Sequence, residues 1–333
     1  MTVRIEKPAI NVREELADLR KPTGLAGEAM LRAETPQEQF NLIGAGRRNI
    51  LINGDFQVWQ RGAYTTATNA TNNVYYTDRF KTRNSQSASD MTIQHITDDH
   101  PPNTYGGHAI KCVSTTGATT TEHVGITQTI EDYEKLAGQT VTYSAWVKAN
   151  TAVQIWVYEF GTANIFSFSE NHSGNGEWEK LTVTHTFLSN NSISSVITYI
   201  TTYGNTTPTN GYHISTQHQL ELGKVATPFE HRSYGEELAL CQRYYQRSNA
   251  DLSDVASHTT FSGDVTSDQV YYTQQNFAVP MRDQPSITLS NSGAVNFGPR
   301  STSINNVGFR TQGTATGSGR GFFRDGWVAE AEL

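Results

Sequence analysis

The 333-residue sequence has few charged residues, two cysteines and no long apolar run. Charged residues make up 17% of the chain, against about 25% in an average globular domain. A disordered chain would be rich in charge and poor in aromatics, whereas 10% of these residues are aromatic. Leu, Glu, Lys and Ala are too sparse for a helical bundle. The composition therefore predicts a folded, all-β protein rich in turns.

Charge and hydropathy exclude several kinds of partner. The formal net charge is −7 and no segment is strongly basic. Binding to a nucleic-acid backbone depends on clustered Lys and Arg, so no nucleic-acid partner is expected. No apolar run approaches the roughly 20 residues that span a bilayer, so we expect no membrane insertion. The first 20 residues also lack the apolar core of a secretory signal.

The two cysteines, Cys112 and Cys241, lie far apart in the sequence. Two isolated cysteines cannot form a disulfide framework, and no C-x-x-C pair is present for zinc. We expect both to be buried free thiols, as in a protein that folds in a reducing cytoplasm.

The N-terminal residues 1–48 hold much of the charge and two short helical patterns. Residues 13–20 form the first pattern, and the Lys-Pro pair that follows ends it. The second pattern begins with Thr35 as a capping residue and Pro36 at the first helical position. Helices this short cannot bury a core alone. The segment is predicted to pack on another domain, on a partner chain or on whatever the protein attaches to.

From residue 49 to about 230 the apolar residues recur with period two, which is typical of strands. Residues 141–147 place four side chains on one face: Val141, Tyr143, Ala145 and Val147. Residues 153–158 place aliphatic side chains on one face and Trp156 and Tyr158 on the other. Several short strands with turn signals between them indicate a β-sandwich.

A helical pattern over residues 235–246 separates this region from a second series of strands. Leu238, Cys241 and Tyr245 share one face of that helix. The second β unit has roughly 90 residues, which is small for independent stability, so oligomerisation is expected to support it.

Five segments carry a resemblance to a known family: residues 49–62 with the motif NGDF, residues 76–80, residues 219–232, residues 238–245, and residues 329–333. Together they resemble the jelly-roll module and C-terminal domain of many bacteriophage tail-fibre and virion proteins. NGDF alone also occurs in carbohydrate-binding jelly rolls attached to bacterial enzymes.

The resemblance implies a virion protein assembled in the cytoplasm of the bacterial host. It would be a homotrimeric fibre or spike that contacts host-surface glycans. Residues 1–48 would attach it to a tail hub, collar or capsid protein. Residues 49–234 would form the jelly-roll β-sandwich, and residues 235–333 a smaller β-sandwich that trimerises or forms the tip. The alternative is a capsid-decorating or neck fibre with a purely structural role.

Sugar binding is the sharpest chemical hypothesis, because saccharide rings stack their C–H faces on exposed aromatic side chains. Trp146, Trp156 and Tyr158 are the candidate platform, since each lies on a strand face opposite the aliphatic one. The alternative is that these rings pack against the other sheet, a neighbouring subunit or the C-terminal domain.

Metal binding and catalysis have weaker signals. Asp55, within NGDF, is a candidate ligand for a structural calcium, as in some resembling jelly rolls, but calcium needs six to eight oxygens. No other cofactor is expected. The sequence lacks G-x-S-x-G and H-E-x-x-H, and it lacks the repeat period of a β-helical glycan depolymerase, so we expect no enzyme activity.

Overall fold

The computed structural model describes residues 48–87, 90–102, 104, 107–248 and 259–333. The two helices expected within residues 1–48 lie outside the described residues. Residues Asn49–Leu333 group together as one structural unit.

The first part of this unit is a β-sandwich of two antiparallel sheets. Among its described residues the strands are β1 (Thr68–Asn69), β2 (Lys81–Asn84), β3 (Met91–Ile96), β4 (Ala109–Ser114), β5 (Val124–Thr129), β6 (Thr140–Ala149), β7 (Gln154–Phe160), β8 (Ile165–Phe168), β9 (Trp178–Thr186), β10 (Ser195–Thr201) and β11 (Gly211–Leu222). One sheet has the order β1-β3-β4-β11-β6-β9, and the other has the order β2-β5-β10-β7-β8. A 3₁₀ helix, Tyr133–Leu136, precedes β6. The predicted all-β jelly-roll architecture is confirmed.

Alternation along each strand creates the core between the sheets. On β6 the four side chains predicted to share a face are all buried: Val141, Tyr143, Ala145 and Val147. On β7, Ile155 and Val157 are fully buried and meet them from the facing sheet. Burial of each valine and isoleucine among them stabilises the fold by about 1.5–3 kcal/mol. The outward residues of the same strands form the two outer faces of the sandwich.

Helix α1 (Tyr234–Gln242) follows the sandwich and begins at Ser233, whose Oγ accepts a hydrogen bond from the backbone N–H of Glu236 at 3.3 Å. The helix is shorter than the sequence pattern predicted. Tyr245 lies on a strand, because the backbone pairs with Glu330 after the helix ends. The apolar face expected across Leu238, Cys241 and Tyr245 is therefore split between two elements.

The C-terminal part is a smaller sandwich. Its strands are β12 (Tyr245–Arg247), β13 (Thr259–Val265), β14 (Val270–Asn276), β15 (Ser286–Val295), β16 (Phe297–Asn305), β17 (Gly308–Ala315) and β18 (Gly319–Glu330). Strand β18 pairs with β12, β13 and β15, and β17 lies between β14 and β16. Phe277, Phe309 and Trp327 pack between the two sheets. Arg300 binds Asp325 with two hydrogen bonds in the same interior.

Buried charges join the two sandwiches. The guanidinium of Arg79, 1% exposed, binds the carboxylate of Glu332, which also accepts a hydrogen bond from Arg61 at 2.8 Å. A partly exposed pair lies nearby, where Arg243 binds Glu131 at 2.9 Å, and the ring of Tyr244 contacts both Arg79 and Arg243. No helix in the described residues is long and apolar enough to span a membrane.

Candidate functional site

The outer face of the five-stranded sheet carries a group of aromatic rings, named here the outer aromatic face: Trp156, Tyr158, Phe166, Phe168, Tyr199 and Tyr203. Strand pairing brings them together, because Trp156 lies opposite Phe168 on β8 and opposite Tyr199 on β10. Tyr158 lies opposite Phe166. Directly opposed side chains are the closest neighbours across a sheet, so the rings form one continuous surface.

The rings pack in parallel and edge-on. Phe166 stacks on Trp156 with centroids 5.4 Å apart and on Tyr158 at 5.5 Å. Tyr203 meets Trp156 edge-on at 5.6 Å. These distances fall in the range at which aromatic pairs attract each other.

The rings differ in exposure and form two layers: a buried supporting layer, Trp156, and an exposed contact layer, Phe166 and Phe168. Trp156 is only 9% exposed, whereas Phe166 is 46% and Phe168 52% exposed. The two phenylalanines thus cover the indole and present their own rings to solvent. Large apolar side chains exposed side by side mark interaction surfaces more often than single exposed residues do.

Polar groups border the rings. The Nε1–H of Trp156 is buried and has no hydrogen-bond partner within the described ranges. Burial raises the pKa of Tyr199, and the positive charge of Arg83 opposes this rise. Burial, assisted by Arg83, lowers the pKa of His123 to about 4, and this imidazole stacks on Tyr203 at 4.4 Å. At neutral pH His123 is therefore uncharged, and Arg83 supplies the positive charge near this end of the outer aromatic face.

Of the three predicted platform residues, the structure brings Trp156 and Tyr158 together and places Trp146 elsewhere. Trp146 lies on β6, which belongs to the other sheet, so it faces the opposite side of the sandwich. Its pairing partners are Thr216 and Lys180. A single ligand-binding surface cannot include both tryptophans.

Asp55 lines a cleft of about 310 Å³ formed with side chains from the loops and β11, among them Gln57, His100, His108, Thr216, Gln217 and His231. Burial raises the pKa of the Asp55 carboxyl, whose Oδ1 has no hydrogen-bond partner among the described residues. Within those residues, no group of three or more His, Cys, Asp or Glu side chains is placed to hold a metal ion. The calcium site at Asp55 stays a prediction.

A hydroxyl, an imidazole and a carboxylate align at one edge of the sandwich. Ser167 Oγ lies 3.0 Å from His185 Nδ1, and His185 Nε2 lies 3.3 Å from Glu159. Glu159 is completely buried and also accepts hydrogen bonds from Asn191 and from the backbone N–H of Leu188. These bonds tie the loop after β9 to β7, which is a structural role for the carboxylate.

Phe166, Phe168, Tyr199 and Tyr203 were missing from the predicted platform. A signal was present for the first two, because Ile165-Phe-Ser-Phe168 alternates between aromatic and other side chains. The segment forms a strand of four residues, too short for its pattern to stand out from a loop.

No protein-family model matches the sequence, and a search of curated proteins found no match either. Solved structures are similar over about half of the chain. The enzymatically active domain of tailspike protein 4 from bacteriophage CBA120 shares 12% identity, with a TM-score of 0.36, covering 53% of this chain and 21% of that one.

Two other solved structures have similar scores. TmCBM61 in complex with β-1,4-galactotriose shares 11% identity, with a TM-score of 0.34, covering 53% of this chain and all of that one. An apo cyclase from Fischerella sp. shares 12% identity, with a TM-score of 0.38, covering 54% and 98% of the two chains.

Proposed function

We propose that the protein is a bacteriophage virion fibre or spike protein that contacts glycans on the host surface through the outer aromatic face. The exposure of Phe166 and Phe168 above Trp156 is the observation that supports this role most directly. Aromatic rings with a few placed polar groups are the usual lining of sites for small organic ligands. Saccharide rings offer flat C–H faces that complement such rings.

We further propose that the chain forms a homotrimer, because shallow saccharide sites bind weakly and multiple copies raise the effective affinity. Residues 1–48 would attach the trimer to a tail hub, collar or capsid protein, and residues 235–333 would trimerise or form the tip. Light scattering of the purified protein should give about three times the chain mass of 36.8 kDa. A folded monomer would contradict the trimer.

The test of glycan contact is the double variant Phe166→Ser/Phe168→Ser. Both side chains are about half exposed, so the variant should fold normally but lose binding to a glycan array and adsorption to host cells. Tyr272→Ser is the matched control, because Tyr272 is 62% exposed on β14 of the other sandwich. Unchanged glycan binding by the double variant would contradict the proposed role.

The role proposed is binding and not catalysis. Incubation of the protein with host surface polysaccharide should release no new reducing ends, and their appearance would identify a depolymerase instead. The structural alternative, a capsid-decorating or neck fibre, predicts no glycan binding and residues 1–48 ordered against capsid protein in a reconstruction of the particle.

A further inference from the structure

The outer aromatic face continues into a straight row of side chains across all five strands. Register places Phe168, Trp156, Tyr199, Thr127 and Lys81 directly opposite one another on β8, β7, β10, β5 and β2. With strands about 4.8 Å apart, the row is roughly 19 Å long. It is aromatic at one end and basic at the other.

Arg83 supplies a positive charge at the basic end that no carboxylate among the described residues neutralises. It lies on β2 opposite Gly125, which has no side chain to separate the guanidinium from the neighbouring strands. Arg83 follows Lys81 by two residues and so shares its face of β2, and the pairs Arg83–Gly125 and Gly125–Thr201 place it one row away from Tyr199. None of the ion pairs between described residues includes Arg83, and its Nε is buried without a hydrogen-bond partner there.

The exposed apolar area favours a small ligand over another protein subunit. Phe166 and Phe168 are the exposed rings, and each is about half exposed. Since an aromatic side chain buries about 150–250 Å², the two together offer about 200 Å². A stable protein interface buries about 800 Å² on each partner, of which roughly 450 Å² is apolar, so the two rings supply less than half of the apolar area needed. A ligand that fits must combine flat apolar faces with a negative group.

We propose that the ligand is an acidic saccharide, a glycan whose sugars carry carboxylates. Its rings lie on Phe166 and Phe168, the rings exposed above Trp156, and a carboxylate reaches past Tyr199 to the guanidinium of Arg83. Arginine binds carboxylates through two parallel hydrogen bonds, which fixes the orientation of the chain along the row. This inference rests on the proposed glycan contact and names the class of glycan.

The test uses the full chain and an array of glycans that contains uronic-acid oligosaccharides together with their carboxyl-reduced, neutral counterparts. Binding should be confined to the acidic members and should weaken as salt is added. For the best binder, Arg83→Gln should lower the affinity about tenfold, and Arg83→Lys should restore part of it. Arg310→Gln, which removes a cation stacked on Tyr272 in the other sandwich, is the control and should change nothing.

Three other outcomes would overturn the inference. Equal binding of acidic and reduced glycans, with no effect of Arg83→Gln, would refute the acidic class but leave glycan contact standing. No binding to any member of the array would refute the proposed glycan contact itself. A change of oligomeric state in Phe166→Ser/Phe168→Ser would identify the outer aromatic face as a contact between subunits.

Discussion

Trp156 and Phe168 are paired directly across β7 and β8, with ring centroids 5.3 Å apart. Despite this contact they differ in exposure, at 9% and 52%. The ring of Trp156 is buried against the sheet, and the ring of Phe168 packs over it and contacts solvent. Substitutions at the two positions should therefore separate stability from binding.

Trp156→Ala should lower the free energy of unfolding by about 3 kcal/mol, because a large buried ring is lost and a cavity remains. Phe168→Ala should cost much less, since half of its ring already contacts water. Urea denaturation of both variants measures the difference. Equal losses would mean that the two rings do not form a supporting layer and a contact layer.

The buried ion pair between Arg79 and Glu332 should be essential to the junction of the two sandwiches. Glu332→Gln leaves the guanidinium, 1% exposed, without its charged partner. Breaking a buried pair in this way costs about 3–5 kcal/mol. Urea denaturation followed by circular dichroism should show this loss as a lower unfolding midpoint.

The control for this prediction is Lys135→Ala. Lys135 binds Asp132 at 2.6 Å, but both side chains are mostly exposed. Exposed pairs contribute little because water and salt screen them. No measurable change in the unfolding midpoint is expected, and a loss as large as that of Glu332→Gln would contradict the role assigned to burial.

Stability should fall as the pH falls from about 6.5 toward 3. Burial lowers the pKa of His213 and of His218 to about 3, from 6.5. Below pH 6.5 the unfolded chain binds a proton at each site and the folded chain does not, so acid favours unfolding. Each histidine contributes a slope of about 1.4 kcal/mol per pH unit within this window. Urea midpoints measured between pH 7 and 4 check the sign.

His213→Leu should reduce this pH dependence, because it removes one of the two groups that titrate. The substitution breaks no hydrogen bond, since neither ring nitrogen of His213 has a partner in the described structure.

Asp78 acts in the opposite direction. Burial raises its pKa to about 6, so between pH 3.8 and 6 the folded state holds its proton more tightly. A wild-type midpoint that rises on acidification would show that Asp78 outweighs the histidines.

Both thiols should be inert in the native protein. Cys112 and Cys241 are free and buried, as the sequence predicted, and burial raises the pKa of each thiol. The thiolate is the reactive form, so a disulfide reagent should modify neither until denaturant is added. Fast reaction of either cysteine in buffer would contradict the packing around it.

Local sequence patterns were sufficient to predict whether a strand's side chain points into the core or away from it. Alternation on β6 and β7 correctly separated inward Val147 and Val157 from outward Trp146 and Trp156. The helical pattern over residues 235–246 was partly wrong, since pairing with β18 converts its last residues to a strand. Propensity favoured the helix there, and a contact distant in sequence overrode it.

The sequence by itself determined which side chains point away from the core, because the period of a strand is a local property. Only the tertiary structure decided which outer face each residue joins. Consecutive strands β6 and β7 enter different sheets, where β6 pairs with β11 and β9, and β7 pairs with β10 and β8. Those partners are distant in the chain, so strand pairing, and not spacing, separates Trp146 from Trp156 and brings Phe166 and Phe168 beside the latter.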